Sequence, residues 1–187
     1  MQQELVNRAK GGDHDAFTRL VDGSVDRLYT VANLILRDLD RAQDAVQEAL
    51  VAAWRDLPAL REPDAWDAWL YRLTVWSCYR HAKRDRRRTM VELQVMPDAG
   101  IDHVADFALP LAERDRLERE LGRLPVDQRA AIVTHFYLGF PISEAAEILG
   151  IAVGTAKSRL SRGLEALRLA FEAEPETPTH AIPVRAP

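Results

Sequence analysis

Residues 141–168 read PISEAAEILGIAVGTAKSRLSRGLEALR. The apolar spacing makes two helices around a tight turn. Ile142, Ala145, Ala146 and Leu149 line one face of the first. Gly150 ends it, where the backbone needs a residue that tolerates the left-handed region. Ile151 follows as a buried turn residue, and Gly154 and Thr155 open the second helix. Ala156, Leu160, Leu164 and Leu167 point inward from that helix. Ala146, four residues before the glycine, is small enough to let the two helices approach closely. This is the helix-turn-helix pattern, whose second helix lies in the DNA major groove.

The outward residues of the second helix are Lys157, Ser158, Arg159, Ser161 and Arg162. They occupy its first turns, the part of such a helix that reaches base edges. Lysine and arginine pair with guanine or grip phosphate, and serine reaches either. Between Gly154 and Arg168 stand four basic residues and one acid, a local net charge of +3. A solvated basic face would look similar. The turn glycine, the small residue before it and the polar basic face together favour DNA.

Outward from this motif, the 187-residue chain has room for one large domain or two small ones. Its net charge is −4, which argues against a protein that coats nucleic acid non-specifically. Basic residues must therefore be concentrated locally. The single cysteine, Cys78, excludes an intrachain disulfide and a cysteine-rich zinc site. No apolar run approaches the roughly 20 residues of a membrane span. The N-terminal MQQELVNRAKGGD has no signal-peptide core, so a cytosolic protein is expected.

Helical spacing holds nearly throughout, and the expected fold is all-α. Leu5, Val6 and Ala9 make a first helix ended by Gly11-Gly12. Asp13 or Asp15 caps a second, with Phe17, Leu20 and Val21. A third carries Val25, Leu28, Tyr29, Ala32, Ile35 and Leu36. Asp38 or Asp40 caps a fourth, with Ala42, Ala45, Val46, Ala49, Ala53 and Trp54 inward. Pro58 and Pro63 bracket a loop, and a fifth helix runs from about residue 65 to 86. Residues 90–110 contain Pro97, Gly100 and Pro110, four acids and no lysine or arginine. They read as a flexible acidic linker between two small helical domains. Beyond it, Leu117, Leu121 and Leu124 mark one helix. Ile132, Val133, Phe136 and Tyr137 mark the next, with His135 as a packed residue among them. The boundaries are 1–88 for the first domain, 89–110 for the linker, 111–172 for the helix-turn-helix domain and 173–187 for a disordered, proline-rich tail.

A second constellation lies at 66–88, WDAWLYRLTVWSCYRHAKRDRRR. Trp66, Trp69, Tyr71, Trp76 and Tyr79 place five aromatics in fourteen residues, and Arg80 to Arg88 carries a net charge of +5. Rings that stack on bases beside cations that hold phosphates suit unpaired strands. Core packing of some rings is the competing reading, since Trp69, Leu73 and Trp76 share a helical face. A plain repressor needs only the helix-turn-helix, so two nucleic-acid-facing elements call for a different kind of protein.

Three segments in order, over roughly residues 5–172, make the chain resemble the extracytoplasmic-function class of bacterial RNA polymerase sigma factors. DRAQDAVQEALVAAW at 40–54 is similar to the family's core-binding helix. WLYRL at 69–73 and the basic run after it are similar to its promoter-melting helix. Residues 123–168 resemble its fourth conserved region. The resemblance implies that Asp44, Gln47 and Glu48 bind the β′ coiled coil of the core polymerase, whose β and β′ subunits are partners. It implies that the loop at 57–64, with Arg61, captures a flipped base. Trp66, Trp69, Trp76, Tyr79, Arg80, Lys83, Arg84 and Arg87 would then hold the opened minus-10 strand. Thr155, Lys157, Ser158, Arg159, Ser161 and Arg162 would read the minus-35 element as duplex. It further implies promoter DNA and an anti-sigma factor as partners of a monomeric, cytoplasmic bacterial protein. No catalytic residue, metal or cofactor is expected. Many relatives carry Asn at the position of Trp76, Asp at Arg80, and a Ser or Thr cap at Pro141.

Two other classes weigh against this reading. A stand-alone helix-turn-helix regulator leaves the 40–54 helix and the tryptophan-rich segment unexplained. An enzyme finds no support: the five histidines are scattered, and no phosphate loop or nucleophile motif occurs.

Overall fold

The computed structural model describes residues 1–89 and 111–173. The side chains of 85–89, 111 and 112, the linker and the tail lie outside the described residues, as do the expectations placed on them. Among the described residues the fold is all-α. The helices are α1 (Gln2–Lys10), α2 (His14–Asp22), α3 (Val25–Leu36), α4 (Leu39–Asp56), α5 (Trp66–Thr89), α6 (Leu111–Arg123), α7 (Val126–Ile132), α8 (Ile142–Leu149) and α9 (Val153–Ala173). Short 3-10 turns at Leu57–Ala59 and Pro63–Ala65 lead into α5, and a π turn at Val133–Tyr137 prolongs α7.

Local chemistry sets the boundaries. Of the two candidate caps on each helix, Asp13 and Asp38 do the work. Their carboxylates accept from the N–H groups of Ala16 and Arg41, both at 3.0 Å. The cap N–H and the Arg8 guanidinium hold the Asp13 carboxyl below its usual range. Gly150 adopts φ 62°, ψ 42°, and the Ile151 N–H reaches back to Ala146 O at 3.0 Å. The turn of the helix-turn-helix is therefore closed as expected, although Ile151 is half-buried rather than buried. Gly163 is a second requirement. A Cβ there would stand 2.8 Å from Ile132 Cδ1 and 3.2 Å from Gln128 Cβ, so a larger residue would push the Ile132 side chain aside where α9 meets α7.

The first domain packs α4 and α3 against α5. Leu28, Ile35, Val46, Leu57, Trp66, Leu70 and Val75 are fully enclosed there. The helix-turn-helix domain packs α7, α8 and α9 around Ala131, Val133, Ala146, Leu149 and Ala156. The two domains do not stand apart: α3 and α5 meet α7 and α8, and the buried apolar cluster is continuous across the seam.

Polar groups stitch that seam. Arg72 on α5 pairs with Glu144 on α8 at 2.5 Å. Arg129 on α7 is buried. Its Nε donates to Ile35 O at 2.8 Å, and its Nη1 donates to Gly122 O at 2.9 Å, with Leu124 O and Leu121 O slightly farther away. One guanidinium thus closes the C-terminal carbonyls of α6 and grips the end of α3 in the other domain. Burial pushes its pKa down to about 10, so it still carries its charge at neutral pH.

Three inward assignments change, the first being Tyr29 on α3, which is 37% exposed. Phe136 is 56% exposed, because the π turn adds a residue to the period and rotates it off the apolar face. Leu164 is 40% exposed, and Gly163 takes its place against α7. His135 is half-buried, with Nδ1 2.7 Å from Phe140 O.

Candidate nucleic-acid interface

On α9 the first turns present Thr155, Lys157, Ser158, Ser161 and Arg162 to solvent. Ala156, Gly163 and Leu167 are buried on the opposite side, as the inward stripe requires. Ser158 Oγ donates to Thr155 O at 3.0 Å and leaves its lone pairs outward. Arg159 behaves differently. Its Nη1 donates to Tyr79 OH at 2.7 Å, and its Nη2 lies 3.2 Å from Asp127 Oδ2. Of the expected reading residues, this one is turned into the domain seam.

On α5 the aromatics divide. Trp66 is fully buried, with Phe17 edge-on at 5.9 Å and Trp69 tilted at 5.8 Å. Trp66 is therefore a core residue and has no surface to offer a DNA strand. Tyr79 is 4% exposed and lies beneath Arg159 and Lys83, the lysine Nζ 4.6 Å from its ring centre. In this arrangement its hydroxyl makes an interdomain contact, because α5 is central and the Arg159 side chain of α9 reaches over it. Trp69 is half-buried. Trp76 alone keeps a large open surface, at 45% exposed, and the Arg80 guanidinium lies 4.0 Å over its ring. Lys83 and Arg84 are exposed one turn farther on, and Arg61 is exposed in the loop before α5. The side chain of Arg87 lies outside the described residues.

On α4 the three polar residues of the expected polymerase surface also divide. Asp44 and Gln47 are exposed. Glu48 is half-buried and turns toward α5, where it meets Ser77, Arg80 and His81. It stands one turn after Asp44, on the α5 side of the same polar surface, with 36% of its side chain still exposed.

Sequence reading overlooked Arg129. Its signal was available: a charged residue on the helix whose stripe continues as Ile132 and Val133 sits at a core position and must find buried acceptors. Arg72 with Glu144, and Tyr79 with Arg159, carried no such signal, since each pairs residues far apart in sequence.

The arrangement offers two exposed basic faces, one on the first turns of α9 and one on α5 beside the open ring of Trp76. Among the described residues no group of His, Cys, Asp and Glu is placed to hold a metal ion, and no helix is long and apolar enough to cross a membrane.

Comparison with known proteins agrees with both modules. Residues 20–88 match the model of Sigma-70 region 2, and residues 114–167 match that of Sigma-70, region 4. The chain is 34% identical over 160 residues to the ECF RNA polymerase sigma factor SigM of Mycobacterium tuberculosis, covering 85% of this chain and 79% of the relative. It is 29% identical to SigW of Bacillus subtilis, covering 90% and 95%. Among solved structures it is similar to the sigma factor RpoE in complex with the anti-sigma factor NepR from Bartonella quintana. That likeness has a TM-score of 0.65 and 27% identity, over 84% of this chain and 98% of the other. It is also similar to CnrH in complex with the cytosolic domain of CnrY, with a TM-score of 0.61 and 26% identity, over 92% and 98%. The chain belongs to the extracytoplasmic-function sigma factors of the sigma-70 family, polymerase-binding proteins that direct promoter-specific initiation of transcription.

Proposed function

We propose that α9 reads the minus-35 element as duplex through Thr155, Lys157, Ser158, Ser161 and Arg162, with Arg159 joining them once the seam opens. The exposed part of α5, Trp76 with Arg80, Lys83 and Arg84 and the adjoining Arg87, holds the opened minus-10 strand. Trp69 and the loop around Arg61 take the flipped base. Asp44 and Gln47 form the surface for the β′ coiled coil, where an exposed carboxylate and amide suit arginine-rich partners. The protein works as a cytoplasmic monomer with domains at 1–88 and 111–172, and it performs no catalysis itself. Bond formation belongs to the polymerase. The observation that carries this reading is the division of labour on the two basic helices. One presents polar side chains without rings, the other an open ring beside cations.

An anti-sigma factor is the second partner. A cleft of about 200 Å³ at the domain seam is lined by Leu34, Leu117, Leu121, Phe136, Leu164 and Leu167. The exposed Phe136 and Leu164 at its mouth suit the apolar face of a partner helix. The solved relative RpoE was crystallised with such a factor.

The test is transcription in vitro with core polymerase and fragmented DNA from the source genome. Discrete transcripts are expected with the wild-type chain, and none with an Asp44→Ala/Gln47→Ala variant that still binds minus-35 duplex. Transcripts that persist in that variant would overturn the assignment of the polymerase surface. Sequence-specific DNA binding with no transcripts at all would favour a stand-alone regulator.

A further inference from the structure

α1 packs on α2 and on the two 3-10 turns that precede α5. It buries only Val6 and Ala9, so few of its residues serve the core. Its polar side chains converge on the segment between the turns and the start of α5. Lys10 Nζ donates to Leu60 O at 2.7 Å. Gln3 Nε2 lies 2.7 Å from both carboxylate oxygens of Asp64, and Gln2 Nε2 donates to Asp67 Oδ2 at 2.9 Å. Gln3, Val6 and Lys10 stand at i, i+3 and i+7, so one face of α1 carries an amide, a buried apolar contact and an ammonium. The two polar ends of that face are about 10 Å apart along the axis. They take hold of the chain on either side of Arg61, one residue before it and three residues after it.

The segment needs such a hold. Leu60 and Glu62 are extended, and the side chains of Arg61 and Glu62 are exposed. Each turn is closed by its own backbone bond, Leu60 N–H to Leu57 O and Ala65 N–H to Glu62 O, both at 3.0 Å. Those bonds shape the turns without tying them to another helix. Burial of Leu57 and Leu60 anchors the start of the segment. The Leu60 carbonyl and the Arg61 N–H share one peptide plane, so the Lys10 ammonium also sets where that N–H points. A loop that selects a base by hydrogen bonds must hold its donors and acceptors in place before the base arrives. Otherwise the ordering of the loop is subtracted from binding, and a wrong base binds nearly as well.

We propose that α1 is a brace for base capture. Lys10 and Gln3 are positioning residues that set how sharply the loop around Arg61 discriminates the unpaired promoter base. The inference rests on the proposed reading of that loop as the base-capturing one. It adds to that reading a helix whose lysine lies 50 residues before the carbonyl it holds.

The experiment compares Lys10→Met, Gln3→Ala and the Lys10→Met/Gln3→Ala double variant with Arg61→Ala and with Glu4→Gln, an exposed position on the opposite face of α1. Methionine keeps the packed stem of the lysine and removes its donor. Each full-length variant is assayed with core polymerase on single-base variants of the minus-10 element of a promoter that the wild type transcribes. In the double variant, preference at one position is expected to fall about tenfold, with core affinity and minus-35 binding within about twofold of wild type. Arg61→Ala should lose preference at the same position, and Glu4→Gln should match wild type. A uniform loss at every position would mean that α1 only stabilises the domain, and an unchanged preference would mean that the loop holds itself. Either result would overturn the proposal. A second readout needs no polymerase. In the free protein the Leu60 and Ala65 N–H groups should exchange with solvent about tenfold faster in the double variant and at the wild-type rate in Glu4→Gln. Unchanged exchange would overturn the brace, whatever the loop reads. Faster exchange, together with an Arg61→Ala variant that keeps every wild-type preference, would instead overturn the reading of the loop and the proposed selectivity with it.

Discussion

α5 and α9 are both long helices with basic outward faces, yet they expose their side chains by different rules. α9 is the last layer of a thin domain and is packed along one stripe, so Lys157, Ser158, Ser161 and Arg162 remain outward. α5 is the middle of the molecule. It lies against α3 and α4 on one side and α7 and α8 on the other, and little of its circumference is left over. The same residue type therefore has different meanings along it. Trp66 is enclosed, Trp69 is half-covered and Trp76 is open. A helix with neighbours on two sides converts a run of aromatics into a core with one functional ring, whereas a helix with neighbours on one side leaves its polar face as written.

The sharpest way to break this comparison is to truncate the two tryptophans at the ends of the series. Trp66→Ala empties a fully buried site between α2 and α5 and should cost about 3–5 kcal/mol of stability in urea unfolding. Trp76→Ala removes a ring that is half in solvent and should cost under about 0.5–1 kcal/mol, while promoter opening fails. Equal losses of stability would show that Trp76 belongs to the core and that α5 has no open ring to give.

What could be read in advance follows the same division. The turn and first helix of the helix-turn-helix were legible, because Gly150 in the left-handed region and the stripe from Ile142 to Leu149 are local facts, whereas Ile151 and Leu164 are more exposed than the stripe implies. The caps Asp13 and Asp38 were legible as members of short lists for the same reason. The fate of each aromatic on α5 was not, since burial there depends on helices far away in the chain: Trp66 packs against Phe17 of α2, and Tyr79 lies under Arg159 of α9. Tyr79 is the clearest case: its position on a basic helix suggested DNA, and its hydroxyl instead receives the Arg159 side chain. Phe136 failed for a different reason. A helical stripe assumes a constant period, and the π turn at Val133–Tyr137 changes it. The contacts of Glu48 were hidden for the same reason as those of α5, since Ser77, Arg80 and His81 lie about 30 residues later in the chain.

Arg162 tests the α9 half of the comparison. It is exposed on the turn that follows Lys157 and Ser158, where a recognition helix meets base edges. Arg162→Ala should relax preference at one position of the minus-35 element, at a cost of about 1–3 kcal/mol against the preferred base pair. Binding measured across a library of single-base variants separates two cases. A loss confined to one position means base reading. A uniform loss means that the arginine holds only phosphate, and the specificity of α9 then rests on Lys157, Ser158 and Ser161.

The smallest effect is expected where the two helices touch. Arg159 donates to Tyr79 OH across the seam, and that hydroxyl is the only atom removed in Tyr79→Phe. The ring stays, so the core beneath is unchanged, and Asp127 still holds the guanidinium from its own domain. The lost hydrogen bond is worth about 1 kcal/mol. That energy opposes opening of the seam, and Arg159 is the one member of the expected duplex-reading set that the closed arrangement withholds. Tyr79→Phe should therefore raise the affinity of the free protein for minus-35 duplex by a few-fold, about the factor that 1 kcal/mol allows. It should also lengthen the distance between fluorophores placed on α1 and α9. Affinity and distance that both stay at their wild-type values would mean that Arg72 with Glu144 and the Arg129 grip on Ile35 suffice to hold the domains closed. The Tyr79 hydroxyl would then only orient Arg159 without restraining it. A rise in affinity with no change in distance would locate the restraint in the Arg159 side chain alone, making α9 a helix whose reading face is completed by one rotamer change rather than by the parting of two domains.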